Sequence, residues 1–448
     1  MRILLPFLLF SAACVAVSCG NGGDKPTVST ADHALAKTIL VDTTLDTVLE
    51  KAKNILSTGF NAGDGYGEVW IRDFATFVEL SCDVTERGAI RDALLMFFKF
   101  QGDDGNIIDG YIPRERGNAG YDYIESELES GWLGHKNTVE TDQESSLVQA
   151  VHTFIETTGD RAFLDEHIGG VTVLDRMEAA LEFLLNERYV EKYGLIWGAT
   201  TADWGDVQPE HDWGVYLTDE THRSIDIYDN AMFVLAMKDF IAMLPGSDSR
   251  GTRWEGVLER TEANIRTHLW DGVNSKYIPH IYLEGSPFPE DFDESEVYYH
   301  GGTAVAILAG LLTPDEIARS LEHMRDNVKK SGAATIGLTL YPPYPEGSFK
   351  NPGMGPYSYQ NGGDWTWFGG RMIQALIANG FAGDAYTELR PMLDRVIAND
   401  GFYEWYTVDN KPKGSGTFRG SAGVLGSAIK MLKDWAVSVD TIKAETIS

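Results

Sequence analysis

The feature of this sequence that most constrains its fold is a helical spacing of apolar residues, which recurs about twelve times along the chain. In residues 143–159, apolar side chains recur at Leu147, Val151 and Phe154, and Gly159 stands where a helix would end. Spacings of three and four residues place such side chains on one helix face. No succession of alternating strands competes with this pattern, so the sequence predicts an all-α protein.

The predicted helices begin and end at recognisable signals. Thr313, Pro314 and Glu316 provide an N-cap, a first-turn proline and the glutamate of a capping box. The predicted helices lie near residues 44–57, 73–82, 87–100, 143–159, 172–187, 225–243, 250–268, 301–310, 314–328, 365–380, 383–397 and 420–435.

The connections between these helices alternate in length. Short turns such as "NGFAGD" alternate with long, aromatic and glycine-rich segments at 102–141, 189–223, 270–300 and 331–364. Long connections without regular structure are usually functional in a compact domain. Twelve helices paired as hairpins, with the long loops at one end, predict an (α/α)6 barrel, a six-hairpin toroid. The alternative, a helical-repeat solenoid, requires a self-similar repeat unit that this sequence does not show.

The N-terminal sequence is typical of an export signal rather than of part of the folded domain. Residues 1–19 contain one arginine, an apolar run and small residues that end at a cysteine. This segment is similar to a bacterial lipoprotein signal with Cys19 as the lipidated residue and Cys14 as the alternative; a cleaved secretory peptide or a single membrane anchor remains open. We predict a flexible tether at 20–35 and one barrel domain at 36–440, which makes the protein an exported lipoprotein held at a membrane through its anchor.

Cysteine content limits the possible disulfides, and net charge limits the possible partners. Cys82 is the only cysteine beyond the predicted signal, so no internal disulfide is expected. The formal net charge of −30 argues against nucleic acid and disfavours an anionic polysaccharide. A neutral oligosaccharide is the partner that fits best, although an acidic soluble surface accounts for most of this charge.

Motifs for cofactors and metals are missing. The sequence has no phosphate-binding glycine loop, dinucleotide fingerprint, nucleophile elbow or zinc-binding helix pair, so no cofactor or metal is predicted. His211, His222 and His300 lie in long loops, where we expect hydrogen-bonding residues rather than ligands. Calcium remains open because loop carboxylates are plentiful, but nothing matches an EF-hand.

The long loops instead place acidic residues among aromatic ones. These acids are Asp203, Asp206, Asp364 and Glu404, and their aromatic neighbours include Trp204, Trp365, Trp367 and Trp405. Aromatic faces suit the apolar faces of sugar rings, and an aromatic pocket raises the pKa of a carboxyl, as a general acid requires. One such stretch is typical of a packed loop with a cap or salt bridge. Three of them together favour carbohydrate chemistry.

Several of these stretches carry a family resemblance. "VWIRDFATF", "DQESSLVQAVHTFIETTGD", "TADWGD" before "SIDIYDNAMFVLAM", "YQNGGDWTWFGG" and "GFYEWY" resemble, in order and helix context, inverting (α/α)6-barrel glycoside hydrolases. The resemblance is greatest to the amylo-α-1,6-glucosidase domain of glycogen-debranching enzymes, and it extends to processing α-glucosidases, trehalases and neutral invertases. It covers about residues 60–435, and its short motifs specify the superfamily better than the substrate.

The resemblance implies roles for particular residues. Asp203 would protonate the leaving oxygen and Glu404 would activate water, with Asp206 as the rival acid because "TTADWGD" departs from the family's usual wording. Arg72 and Asp73 would hold hydroxyls of the terminal sugar; the alternative is an Arg–Asp cap or salt bridge. The other expected pocket residues are Trp70, Asp142, Trp204, Gln360, Asn361, Asp364, Trp365 and Trp367. Asp364 stands where the family commonly has a hydrophobic residue.

The resemblance, together with the acids and tryptophans of the long loops, implies an inverting, exo-acting glycoside hydrolase, foremost an α-glucosidase for neutral oligosaccharides. Inversion requires the acid and base carboxyls roughly 6.5–9.5 Å apart, so that a water molecule fits between the base and the sugar. Two alternatives remain open. One is another sugar-active enzyme on the same barrel, such as a fructosidase, mannosidase or epimerase, and the other is a non-catalytic glycan-binding lipoprotein.

Overall fold

The computed structural model describes residues 29–118, 121–212 and 215–447, in which thirteen α-helices account for most of the regular structure. In chain order they are α1 Thr30–Val41, α2 Thr43–Leu56, α3 Ile71–Ser81, α4 Arg87–Lys99, α5 Gln143–Thr158, α6 Val173–Glu187, α7 Ile227–Met243, α8 Arg250–His268, α9 His300–Leu308, α10 Pro314–Ser331, α11 Thr366–Ala378, α12 Ala382–Asn399 and α13 Arg419–Ile447.

All twelve predicted helices are present as α2 to α13, and most of their ends lie within a few residues of the predicted ones. The predicted capping box is confirmed, because the backbone N–H of Glu316 donates to Thr313 Oγ1 and that of Thr313 donates to Glu316 Oε2. The predicted tether is wrong at its C-terminal end, where α1 begins at Thr30 after the cap residue Ser29. Residues 1–28, with the predicted signal and Cys19, lie outside the described residues.

Six of the helices form a closed inner ring. In the order α3, α5, α7, α9, α11 and α13, each packs against the next, and α13 packs against α3. The helices α2, α4, α6, α8, α10 and α12 lie outside this ring against its members, and α1 packs on α13. This closed arrangement is the predicted (α/α)6 barrel, and it excludes the open solenoid. One continuous hydrophobic core joins the two layers.

The strands are short and lie in the connections between helices. They are β1 Val69–Trp70, β2 Gly110–Pro113, β3 Trp132–His135, β4 His167–Ile168, β5 Val171–Thr172, β6 Tyr189–Val190, β7 Leu195–Ile196, β8 Gly198–Ala199, β9 Arg223–Ile225, β10 Trp270–Asp271, β11 Lys276–Tyr277, β12 Ile281–Tyr282, β13 Tyr298–Tyr299, β14 Leu340–Tyr341, β15 Trp405–Tyr406 and β16 Pro412–Lys413. All the described pairings between these strands are antiparallel, as in the three-stranded sheet β1–β2–β3.

The long connections all precede inner helices, so they lie together at the end of the barrel where those helices begin. The short turns lie at the opposite end, as the alternation of loop lengths predicts. None of the described helices combines the length and the apolar character that crossing a membrane requires. Cys82 is a free, half-buried thiol on the C-terminal side of α3.

Candidate active site

A cavity of about 570 Å³ lies at the long-loop end of the barrel, and its volume is typical of a small-molecule site. Five of the six connections that precede inner helices contribute to its wall. The sixth, before α9, instead helps to form a separate aromatic cluster that packs against the loop carrying Ala202 and Val207. The cavity is therefore built by residues from distant parts of the chain.

Asp206 faces this cavity from the loop before α7. Gln360 holds it in place, since Gln360 Nε2 donates to Asp206 Oδ1 at 2.6 Å and Asp206 N donates to Gln360 Oε1 at 3.3 Å. Burial raises the pKa of Asp206 above its usual value, although Arg72 and the bond from Gln360 oppose the rise. A carboxyl with a raised pKa can retain a proton for a leaving group.

Asp203 lies behind the cavity wall and is 1% exposed. Its carboxylate caps α9, where Gly301 N donates to Oδ2 at 2.7 Å and Gly302 N donates to Oδ1 at 2.8 Å. The backbone of Asp203 has a left-handed φ of 54°, a conformation that few residues other than glycine adopt. Its position therefore does not support the general-acid role predicted for Asp203, because both carboxylate oxygens are already bound to the protein.

Glu404 faces the cavity from the loop before α13. Its Oε2 atom accepts hydrogen bonds from Tyr66 Oη at 3.0 Å and from Ser415 N at 3.2 Å. Burial raises the pKa of Glu404; the bonds from Ser415 and Tyr66 oppose this rise, and the charge of Asp206 adds to it. Both residues line the same cavity, and they are close enough for the charge of Asp206 to act on Glu404.

The neighbouring Gly414 makes room for the Glu404 carboxyl. Its φ is +68°, and a Cβ atom at this position would lie 2.2 Å from Glu404 Oε2. A side chain here would be strained by the backbone conformation and would also displace the carboxyl.

Arg72 lines the cavity from the first turn of α3, and buried acids hold it there. Arg72 Nε and Nη2 donate to the two carboxylate oxygens of Asp142 at 2.8 and 3.1 Å, and Nη1 lies 3.1 Å from Glu140 Oε1. Tyr228 Oη donates to Asp142 Oδ2 at 2.6 Å. Asp142 is fully buried and does not line the cavity, so the residue predicted to bind substrate is placed to orient Arg72 instead.

Asp73 also lines the cavity, and it is not paired with Arg72 by a salt bridge. Its Oδ1 atom is buried without a hydrogen-bond partner in the described residues. Burial raises the pKa of Asp73 well above its usual value. Oδ1 itself is enclosed by protein near Gly420, so only the other carboxylate oxygen, Oδ2, is left to meet a ligand in the cavity. The alternative of an Arg72–Asp73 salt bridge is wrong.

Tryptophans supply the apolar part of the wall. Trp204 stacks on Phe368 with ring centroids 4.3 Å apart, and the rings of Trp365 and Trp367 meet it edge-on at 4.9 and 5.5 Å. Trp70 lines the cavity as well. The tryptophans predicted from the aromatic loops therefore do come together at one site.

Two other predicted pocket residues hold loops and do not line the cavity. Asn361 is fully buried; it accepts from Tyr344 N at 2.8 Å and donates to the carbonyl of Met354 at 3.0 Å. Asp364 accepts two hydrogen bonds from Arg395, at 2.6 and 2.8 Å. Both residues are paired with groups outside their own motif, which a local pattern does not reveal, and their predicted positions in the pocket are wrong.

The cavity contains polar and aromatic residues that the sequence analysis missed. They include Tyr66, Glu68, Asp109, Tyr121, His135, Glu140 and Tyr359. The stretches "GYGEVW" and "NIIDGY" carried a usable signal, because each places an acid beside aromatic residues after a glycine or asparagine. His211, His222 and His300 make hydrogen bonds to Thr218, Glu210 and the carbonyl of Ile336, as expected.

Comparison with known proteins agrees with this fold. Residues 39–380 match the family model described as Glycosyl hydrolase 94 superfamily, catalytic domain. No curated protein sequence is detectably similar to this chain.

Solved structures show the same fold at low sequence identity. The GH63 mannosylglycerate hydrolase from Thermus thermophilus in complex with glucose is 16% identical, with a TM-score of 0.61 over 86% of this chain and 99% of that chain. The rhamnosidase from Klebsiella oxytoca with rhamnose bound is 14% identical, with a TM-score of 0.55 over 86% and 63%. The GH78 family rhamnosidase of Bacillus sp. GL1 is 16% identical, with a TM-score of 0.58 over 86% and 34%.

Proposed function

Because the chain belongs to the glycosyl hydrolase 94 superfamily and is a glycoside hydrolase, we propose that it is an inverting, exo-acting enzyme with Asp206 as general acid and Glu404 as general base. The observation that supports this proposal is that two largely buried carboxyls, from separate loops, face one cavity. Asp203, the acid first expected, is given no role in the reaction because its carboxylate binds the N-terminus of α9.

The environments of the two carboxyls suit different roles. Burial keeps the pKa of Asp206 raised, so its proton is available to the glycosidic oxygen as the bond from that oxygen to the anomeric carbon breaks. Burial also raises the pKa of Glu404, but Tyr66 and Ser415 donate to its carboxyl and oppose that rise, which favours the ionised form that accepts a proton from water. The water oxygen attacks the anomeric carbon on the opposite face, and the product anomer is inverted.

We assign the terminal sugar to the part of the cavity beside Asp73, Trp365 and Trp367. The two tryptophans are 2% and 3% exposed, and their rings offer apolar surface for one sugar face. Asp73 is 8% exposed and lines the cavity, and its Oδ2 atom can accept a hydrogen bond from a sugar hydroxyl. Arg72 can donate to another hydroxyl from a fixed position.

The proposed substrate is a neutral α-linked glucoside. The Thermus neighbour was solved in complex with glucose, but it is named a mannosylglycerate hydrolase, so an α-mannoside is the second candidate. Release of monosaccharide from a panel of α-glucosides, α-mannosides and sucrose, in phosphate-free buffer, distinguishes them. Glu404→Gln is the control for contaminating activity, and sugar binding without release would favour the non-catalytic alternative.

Proton NMR of the first product anomer tests the mechanism. We expect the configuration opposite to that of the substrate, because one displacement by water inverts the anomeric carbon. A product that retains the substrate configuration would rule out the roles proposed for Asp206 and Glu404.

We also propose that the protein is exported and anchored through a lipid on Cys19, a proposal supported by the sequence of residues 1–19. Incorporation of a labelled fatty acid tests it. Label should be lost in Cys19→Ser and kept in Cys14→Ser, and the reverse pattern would move the anchor to Cys14.

A further inference from the structure

The wall of the cavity carries many more acidic than basic groups. Among the described residues, Arg72 is the one lysine or arginine that lines it. Six carboxyl side chains line it: Glu68, Asp73, Asp109, Glu140, Asp206 and Glu404. The proposed mechanism uses two of them, and hydroxyl binding uses one more. The remaining acids need another explanation.

The positive charge of Arg72 is already compensated by protein groups. Asp142 binds it through two hydrogen bonds and Glu140 lies 3.1 Å from Nη1, which also donates to the carbonyl of Trp204 at 3.1 Å. An anionic ligand would have to compete with two buried carboxylates for this guanidinium. Removing one partner of a buried ion pair is costly, so Arg72 does not serve as a free anion site.

The N-termini of α7 and α9, at this end of the barrel, have little capacity left to bind an anion. The carboxylate of Asp226 accepts from Asp229 N at 2.9 Å in the first turn of α7. Asp203 binds the first free N–H groups of α9. These helix ends, which would otherwise attract an anion, already have carboxylates of the protein bound to them.

The part of the cavity wall around the exposed Tyr121 carries acidic and aromatic side chains. His135 Nδ1 lies 3.5 Å from Asp109 Oδ2, so any positive charge on this ring is compensated by Asp109. Tyr121 is 37% exposed, and its ring centroid lies 5.7 Å from that of His135. Glu68 is half-buried beside them in the cavity wall. The structure does not describe residues 119–120 and 213–214 of the two neighbouring loops. The sequence shows that these four residues are uncharged.

From this imbalance we propose that the site is selective for leaving groups that are neutral or carry an ammonium group, and that Asp109 and Glu68 repel carboxylated ones. The proposal depends on the proposed function, since it concerns the part of the substrate that is released. Repulsion between like charges a few ångströms apart is appreciable even in a partly solvated site, so a carboxylate leaving group should lose about tenfold in kcat/KM.

Three glycosides of the sugar that the panel identifies test the proposal. Their leaving groups are glycerol, glycerate and 2-amino-1,3-propanediol, which have similar size and different charge. We expect kcat/KM to fall in the order ammonium, neutral, carboxylate at low ionic strength. Asp109→Asn with Glu68→Gln should reduce the difference between glycerate and glycerol substrates, whereas Glu255→Gln, on the exposed face of α8, should leave the ratio unchanged. Equal rates for the glycerate and glycerol substrates, or an unchanged ratio in the double variant, would overturn the proposal.

A binding measurement separates this proposal from the proposed function. The fluorescence of the cavity tryptophans, titrated with free glycerol, glycerate and 2-amino-1,3-propanediol, requires no turnover. We expect the ammonium compound to bind more tightly than glycerate by about tenfold or more. If no glycoside is hydrolysed but this order holds, the proposed reaction fails and the charge selectivity stands. If glycerate binds as tightly as the ammonium compound, or neither compound binds, the selectivity fails whatever the reaction is.

Discussion

The exchange of Asp206 for asparagine is the sharpest test of the proposed site. The substitution keeps the size of the side chain and one possible hydrogen bond with Gln360, but it removes the proton that the glycosidic oxygen would receive. Loss of a general acid costs on the order of 10²–10⁴ in rate, or about 3–5.5 kcal/mol in the activation barrier. This loss should appear with oligosaccharides, whose leaving groups need protonation.

Activated substrates should show a different response. A glycosyl fluoride has a leaving group that departs with little help from an acid, so Asp206→Asn should retain its rate on the fluoride to within about tenfold. The two substrates together therefore report the acid role, because loss of fold or of sugar binding would reduce both rates.

Asp203→Asn is the matched control, since it lies three residues earlier and carries the same chemical change. The new amide side chain would accept only one of the two bonds that Gly301 and Gly302 donate, and its NH₂ group would face the other N–H. We expect a loss of about 1–3 kcal/mol in the free energy of unfolding. Activity per folded molecule should fall by the same factor on both substrates.

The assay is kcat/KM for one disaccharide and one glycosyl fluoride, with thermal unfolding of each variant. If Asp203→Asn loses activity selectively on the disaccharide while Asp206→Asn behaves normally, the reasoning from the cavity wall is refuted. The general acid is then Asp203.

Two further substitutions test the surroundings of the site. Tyr66→Phe removes a donor that favours the ionised form of Glu404, so it should raise the pKa of Glu404. The acidic limb of the kcat/KM profile should then move to higher pH by about half to one unit. A pH–rate profile checks this shift, and a limb that stays in place or moves to lower pH contradicts it. Asp364→Ala leaves Arg395 buried without its carboxylate and should cost about 3–5 kcal/mol in denaturant unfolding. Near-normal stability with a large loss of kcat/KM would instead restore the substrate-binding role predicted from the sequence.

Most of the fold could be predicted because its information is local. The apolar spacing marks each of the helices from α2 to α13, and the alternation of short and long connections indicates paired helices with loops at one end. The one described helix that was not predicted is α1. Its capping box, Ser29 and Asp32, is visible in the sequence but lies next to a glycine-rich segment. Its apolar face packs on α13, at the other end of the chain, so the sequence around α1 does not show what buries it.

The site was predictable in composition but not in detail. Acids and tryptophans in the long loops do meet in the cavity, yet the sequence does not show which acid of a motif faces it. Asp203 is the left-handed residue of a turn over 202–205 and Asp206 follows that turn, and only Asp206 lines the cavity. Asp142 and Asp364 pair with arginines 70 and 31 residues away, which local motifs do not reveal.

The closure of the inner ring by α13 has a consequence for biosynthesis. Glu404 and its donor Ser415 lie in the loop before α13, whereas Tyr66 lies before α3 and Arg72 lies in the first turn of α3, which α13 contacts. A chain emerging from the ribosome would contain the proposed acid about 200 residues before it contains the proposed base. Hydrolysis should therefore begin only when the last hairpin has been made and has docked, so a nascent chain or a C-terminally truncated chain should be inactive.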